Sequence, residues 1–332
     1  MFGGMKGMTG RSLLAVLLCV TVAGTLWAVS LTAGPVDATP AAVPSQAAHL
    51  GAPLPPVAEL RLRAAHEPST DAAPAAPAQP GPAQPVPDPL AHWAAETAPL
   101  LGIPEPELIG YGTGDLAMQD KAPGCRLSWI TLAALGHVGS EQVRPQDGVP
   151  AALATAETLC AGGRDTATEA GWVSAVRSVG DGTAHVHRVL ATATTYATAV
   201  RSGTQISPPA RAAIDFAIGQ IGLPYVWGGN GPRRGDAGFD CSGLTGAAYA
   251  TAGVGLPRTA HTQFFATRHL AAEPVQPGDL VFYGNPSTKI HHVGLYIGNG
   301  QMINAATFGT PVQVAPVRWS GDGYAGAGRP AA

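Results

Sequence analysis

The chain has 332 residues, only 12% of them charged, with 43 glycines and 31 prolines. That length leaves room for more than one domain, but the composition points to long linkers as well as core. A net charge of -3 with no Lys/Arg cluster lacks the basic footprint of a nucleic-acid binder, so DNA and RNA are excluded as partners.

Lys6 and Arg11 precede an uncharged apolar run over residues 13–33. Such a run approaches the length that spans a bilayer, and the positive residues before it place that end in the cytoplasm. Residues 1–34 are therefore expected to be a membrane anchor, or an export signal if small residues near Val36-Asp37-Ala38 are a cleavage site. Cys19 falls inside this run and reads as membrane-buried. Residues 35–87 are Ala/Pro-rich, as in Pro80-Gly81-Pro82-Ala83-Gln84-Pro85-Val86-Pro87, and bury too little apolar surface to fold. At about 3.1 Å per residue when extended, this linker reaches on the order of 150 Å from a membrane.

Residues 88–201 predict a smaller all-α domain. Trp93, Ala94, Thr97, Leu100 and Leu101 suggest a helix that Gly102 and Pro104 end. Further helices are expected over 127–136, 151–160, 172–179 and 185–200, the last with Val186, Val189, Leu190 and Ala193 on one face. Outside the cell a spare cysteine pair oxidises, so Cys125 and Cys160 are expected to form a disulfide, leaving Cys241 free. His185 and His187 have no further ligands at metal spacing; they read as solvent-facing, and no metal or other cofactor is implied.

Several pieces of this region are similar to actinobacterial lytic transglycosylases: Gly102-Ile103-Pro104, Pro123-Gly124-Cys125, Leu127-Ser128-Trp129 and Leu159-Cys160-Ala161-Gly162-Gly163-Arg164-Asp165. The resemblance implies a helical domain that cuts peptidoglycan glycan strands with a glutamic acid as general acid. Here Gly139 stands in the acid's place, in His137-Val138-Gly139-Ser140, and Glu141 points elsewhere on a helix. The central stretch of the groove has no room before Ala151. The region therefore reads as a shortened, catalytically dead relative, holding glycan strands or a protein partner.

Residues 207–329 carry the chemistry. Ser207 and Pro208 open a helix with Ile214, Ile218 and Ile221 facing the core. A loop leads to Phe239-Asp240-Cys241-Ser242-Gly243, where Cys241 begins a helix; the helix dipole and unpaired N–H groups there favour thiolate. A short helix is expected over 263–267, then strands from Leu280, from His292 and from Gln301. In the second strand Val293, Leu295 and Ile297 share the core face, while His292, Gly294 and Tyr296 share the other. Gly294 is expected to keep the surface beside His292 open, and parity disfavours His291 as the base. A two-residue Asn299-Gly300 turn puts Asn304 opposite Leu295, on the core face; a three-residue Gly-Asn-Gly loop puts it opposite Gly294, beside His292. An orienting role for Asn304 thus predicts the longer loop.

In order along the chain, Pro224-Tyr225-Val226-Trp227-Gly228-Gly229, the cysteine motif through Thr245, Leu256-Pro257-Arg258-Thr259, residues 277–283, residues 292–297 and residues 298–303 together resemble the NlpC/P60 family of papain-like cysteine peptidases. That likeness implies an α+β domain in which the helix bearing the cysteine packs on an antiparallel sheet. Its members hydrolyse stem peptides of the bacterial cell wall, most often between γ-D-glutamate and diaminopimelate. Residue by residue, the resemblance makes Cys241 the nucleophile, His292 the base and Asn304 the third residue. It places Tyr225, Asp240, Ser242 and Arg258 in the substrate cleft, with Arg258 also open to a structural role. Trp227 is expected to be packing, and His261 is a spare histidine. The expected protein is a cell-wall endopeptidase outside the cytoplasm, tethered or secreted, and the pairing of modules also resembles wall-opening proteins of conjugation systems.

Overall fold

The computed structural model describes residues 88–139 and 148–331. The expected anchor, the linker, Cys19 and Glu141 lie outside the described residues. Among the described residues no helix is long and apolar enough to cross a membrane.

Asp88 accepts from the Leu90 N–H and starts α1 (Pro89–Leu101), which Gly102 ends in the left-handed conformation. Then comes a helix that the sequence pattern does not predict, α2 (Glu105–Lys121). Its Gly110 and Gly114 face α4 (Val149–Cys160) so closely that a Cβ on Gly114 would sit 2.9 Å from Leu132 and 3.3 Å from the Ala152 carbonyl. The glycines that weaken the helical signal are what let two helices touch. Ser128 caps α3 (Trp129–Val138), and α5 (Glu169–Arg177) and α6 (Gly182–Ser202) complete the helical half. The Cys125–Cys160 disulfide is present and joins the turn before α3 to the end of α4.

The C-terminal half begins with α7 (Pro208–Gln220), followed by α8 (Cys241–Ala250) and α9 (Ala260–Ala266). Six antiparallel strands follow: β1 (Arg268–His269), β2 (Leu280–Asn285), β3 (Lys289–Gly298), β4 (Gln301–Asn304), β5 (Gln313–Pro316) and β6 (Tyr324–Arg329), in the order β1-β6-β2-β3-β4-β5. The short β1 and the strands β5 and β6 come in addition to the three expected. One face of the sheet, with Leu280, Phe282, Val293, Leu295, Ile297 and Ile303, packs under the helices; the other carries a smaller apolar cluster of Val281, Tyr283, Met302, Val317 and Ala327.

The two halves share a single hydrophobic core, because α6 packs on α1, α3 and α5 and also on α7, β3 and β5. That double packing corrects the reading of its histidines. His187 is only 7% exposed and His185 is half-buried, rather than facing solvent. Burial lowers the pKa of both.

Candidate active site

Asp240 caps α8 by accepting from the Gly243 N–H at 2.6 Å, so the helix starts at Cys241 and the thiol lies in its first turn. Gly243 has no Cβ for a reason: one would sit 2.0 Å from the Gly229 carbonyl, where the 224–229 loop crosses the helix start. Arg258 locks this arrangement. Its guanidinium donates to both oxygens of Asp240, at 3.0 and 2.8 Å, and to Ser242 Oγ at 3.0 Å. Of the four residues expected in the cleft, Asp240, Ser242 and Arg258 thus interlock with one another, and Ser242 is buried at 5% exposure. Tyr225 stays half-exposed, with its ring edge-on to Phe308.

The thiol meets β3 at an open edge. β4 ends at Asn304, and the Tyr296 N–H, three residues on from Val293, bonds toward the β2 side, so by alternation the Val293 N–H points the other way. The Val293 N–H reaches the Cys241 thiol instead of a strand partner, and the Ser242 N–H reaches it too. Those groups favour the thiolate, but burial and the neighbouring Asp240 carboxylate outweigh them and push the thiol's pKa up. The expectation of a helix-stabilised thiolate is therefore reversed in the resting protein.

His292 comes to the site with Asn304. Asn304 Nδ2 lies 3.1 Å from His292 Nε2, so Nδ1 is the ring nitrogen that Asn304 does not engage. The pairing arises in a way neither expected turn describes. The turn has two residues, Asn299 (φ 48°) and Gly300 (φ 69°), between Gly298 and Gln301. A bulge at Ile297 then shifts the register so that Leu295 faces Ile303, and Asn304 falls opposite Gly294, on the face of His292. The three-residue loop is replaced by a tight turn plus a bulge with the same outcome.

Nor is the surface beside His292 open, as its glycine neighbour suggested. Met302 fills the space over Gly294, its sulfur 2.4 Å from where a Cβ would sit, and the Tyr283 ring lies 5.5 Å from the imidazole. Trp319 stacks on Tyr283 at 5.0 Å. Burial, with a smaller contribution from the charge of His291, pushes the pKa of His292 down to about 4. His291 is exposed, and His261 Nδ1 accepts from the Ile290 N–H at 3.2 Å, which occupies the spare histidine.

Trp227 is 75% exposed, not packed, and together with Phe308 at 68% it presents apolar surface beside Tyr225. Among the described residues no group of His, Cys, Asp and Glu is placed to hold a metal ion.

Residues 222–323 match the NlpC/P60 family. This stretch is an NlpC/P60 family domain. Over 125 residues the chain is 42% identical to the peptidoglycan endopeptidase RipB of Mycobacterium tuberculosis, covering 34% of this chain and 51% of RipB. Over 85 residues it is 51% identical to the probable endopeptidase p60 of Listeria monocytogenes, covering 26% of this chain and 16% of p60. A crystal structure of an NlpC/P60 family protein from Bacillus cereus ATCC 10987 aligns at 35% identity and a TM-score of 0.34, over 37% of this chain and 41% of that one. The chain thus spans about half or less of these relatives. Two features of that domain were beyond sequence reasoning: the Val293 N–H, which depends on where β4 stops, and the Tyr283–Trp319 stack, which depends on the fold of residues 317–324.

Proposed function

We propose that this protein is a peptidoglycan endopeptidase whose Cys241 attacks an amide carbonyl of the cell-wall stem peptide. The observation that carries this reading is the His292–Asn304 contact, set beside a free thiol at a helix start. His292 Nδ1 takes the thiol proton as sulfur bonds to the carbonyl carbon. Backbone N–H groups at the start of α8 receive the developing oxyanion. The C–N bond then breaks, the imidazolium returns its proton to the leaving amine, and water hydrolyses the thioester. Asn304 Oδ1 is buried with no partner, and the two ends of an amide are interchangeable in shape. Turned over, that oxygen accepts from Nε2–H and holds the tautomer whose Nδ1 is free to act as base.

With the thiol raised and the imidazole lowered, the resting pair is neutral, so proton transfer accompanies attack rather than preceding it. The bond is the γ-D-glutamyl-diaminopimelate bond that the family most often cuts, and Tyr225 lines the cleft. The work is done on the cell-wall side, with residues 1–34 as anchor or export signal. Digesting purified peptidoglycan and identifying soluble peptides by mass spectrometry tests the reading. Wild-type protein releases cut stem peptides and Cys241→Ala does not; equal release from both would refute it.

The helical half is read as a non-cutting relative of lytic transglycosylases that holds glycan. Gly139 closes α3 as a left-handed cap and offers no carboxyl group there. Anhydromuramyl products from the Cys241→Ala protein would overturn this part alone.

A further inference from the structure

The hairpin that carries both His292 and Asn304 rests on the helical half. Gly298 ends β3 and Gln301 begins β4; they face each other across the Asn299-Gly300 turn. Both touch α6. A Cβ on Gly298 would sit 2.0 Å from Thr198 Oγ1, so strand backbone lies directly on that threonine with no side chain between them. Thr198 is itself fixed, because its hydroxyl donates to the Thr194 carbonyl at 2.8 Å. Thr194 Oγ1 lies 3.4 Å from Gln301 Oε1, and both residues are fully buried. These contacts hold the two sides of the turn next to the Ile297 bulge, whose register decides whether Asn304 faces His292.

We propose that Thr198 and Thr194 are positioning residues for the Cys241/His292/Asn304 site. The helical half is then part of the catalytic scaffold rather than an appended module. The proposal rests on the reading of His292 as base and Asn304 as its orienter. Its physical basis is that paired strands are stiff, so a shift imposed at the turn by α6 is carried along β3 and β4 to the imidazole and the amide. A displacement of that kind is costly in rate even when the fold survives, because proton transfer and attack depend on sub-ångström placement.

The test uses the full chain and two readouts. One is kcat and KM on a soluble muropeptide. The other is the pH dependence of Cys241 alkylation by iodoacetamide, followed on the Cys241 peptide by mass spectrometry, which needs no peptidoglycan substrate. Thr198→Leu, which pushes on Gly298, is expected to lower kcat roughly tenfold or more with little change in KM, and to move the alkylation profile. Thr198→Ser keeps the backbone contact and restores wild-type values. If Thr198→Leu does not fold, the near-isosteric Thr194→Val decides, with a smaller effect of the same kind. Folded variants with wild-type kcat and an unmoved alkylation profile would overturn the proposal. If wild-type protein cuts no muropeptide, it is the endopeptidase reading that fails, and the alkylation profile still tests the brace.

Discussion

Asn304 reaches His292 because Ile297 is an extra residue in the strand between the histidine and the turn. Tyr296 pairs with Met302 and Gly298 with Gln301, so Ile297 has no partner and the alternation of faces slips by one. Without that slip the tight Asn299-Gly300 turn would send Asn304 into the apolar core.

Two variants separate the contact from the bulge beside it. Asn304→Ala leaves the hairpin intact and removes the group at Nε2; kcat on a muropeptide is expected to fall roughly ten- to a hundredfold, within the range of a misdirected general base. Deleting Ile297 removes the bulge but leaves Tyr296 opposite Met302 and Asn304 opposite Gly294, so the amide stays on the face of His292 and kcat is expected to fall less than in Asn304→Ala. Steady-state kinetics on both, with circular dichroism to follow the fold, checks the order of effects.

The imidazole's low pKa sets a pH window. An ordinary histidine titrates near 6.5, whereas His292 is held at about 4 by burial and His291. The base therefore stays neutral in mildly acid conditions, and the acid limb of kcat is expected near pH 4 rather than near 6.5. Stability follows with a definite sign. Between these two pH values the unfolded chain binds the proton that the native site refuses, so stability rises with pH and is lost as pH falls from 6.5 toward 4. Buried His187 acts in the same direction. Urea unfolding between pH 7 and 4 should show this decline, and His292→Gln should flatten part of it.

Asp240 does two things that oppose each other. It caps α8 and anchors Arg258, yet its charge helps hold the Cys241 thiol protonated. Asparagine caps helices about as well as aspartate. Asp240→Asn is therefore expected to keep the helix start and shift Cys241 alkylation to lower pH, while loosening Arg258. A shift to higher pH would show that the latch, not the charge, governs the thiol.

The disulfide joins residues 35 apart in sequence, and Thr166 ties the same region by donating from its N–H and hydroxyl to the Cys125 carbonyl at 2.8 and 3.0 Å. Replacing both cysteines with serine is expected to cost about 3–4 kcal/mol in the chain-entropy account. Because both halves share one core, calorimetry should show a single transition moving down, and not the helical half melting first.

What the sequence made legible follows a physical pattern. The helix start at Cys241, the face of His292 and the Cys125–Cys160 pair depend on local spacing or on few candidates, and each could be read ahead of the structure. The helix α2 was hidden because Gly110, Gly112 and Gly114 look like breakers until a second helix is seen against two of them. The strand β6 was hidden similarly. Its Tyr-Ala-Gly-Ala-Gly-Arg run has little β-propensity, but it lies between β1 and β2, and Gly328 makes room for Thr267 beside it. Trp227 was misjudged because a large apolar ring usually packs, and exposure depends on a loop's path. The bulge at Ile297 left no trace in composition at all.

The crosslink between Cys125 and Cys160 has one more consequence, for a chain that a protease has nicked. Backbone cleavage anywhere between these two cysteines yields two fragments that remain one covalent molecule. The fragment that begins the chain would still hold α1 and α2, and the other would still carry the whole peptidase half. A nicked protein would migrate as a single species until a reductant was added, and its catalytic half would stay leashed to whatever holds the first residues of the chain.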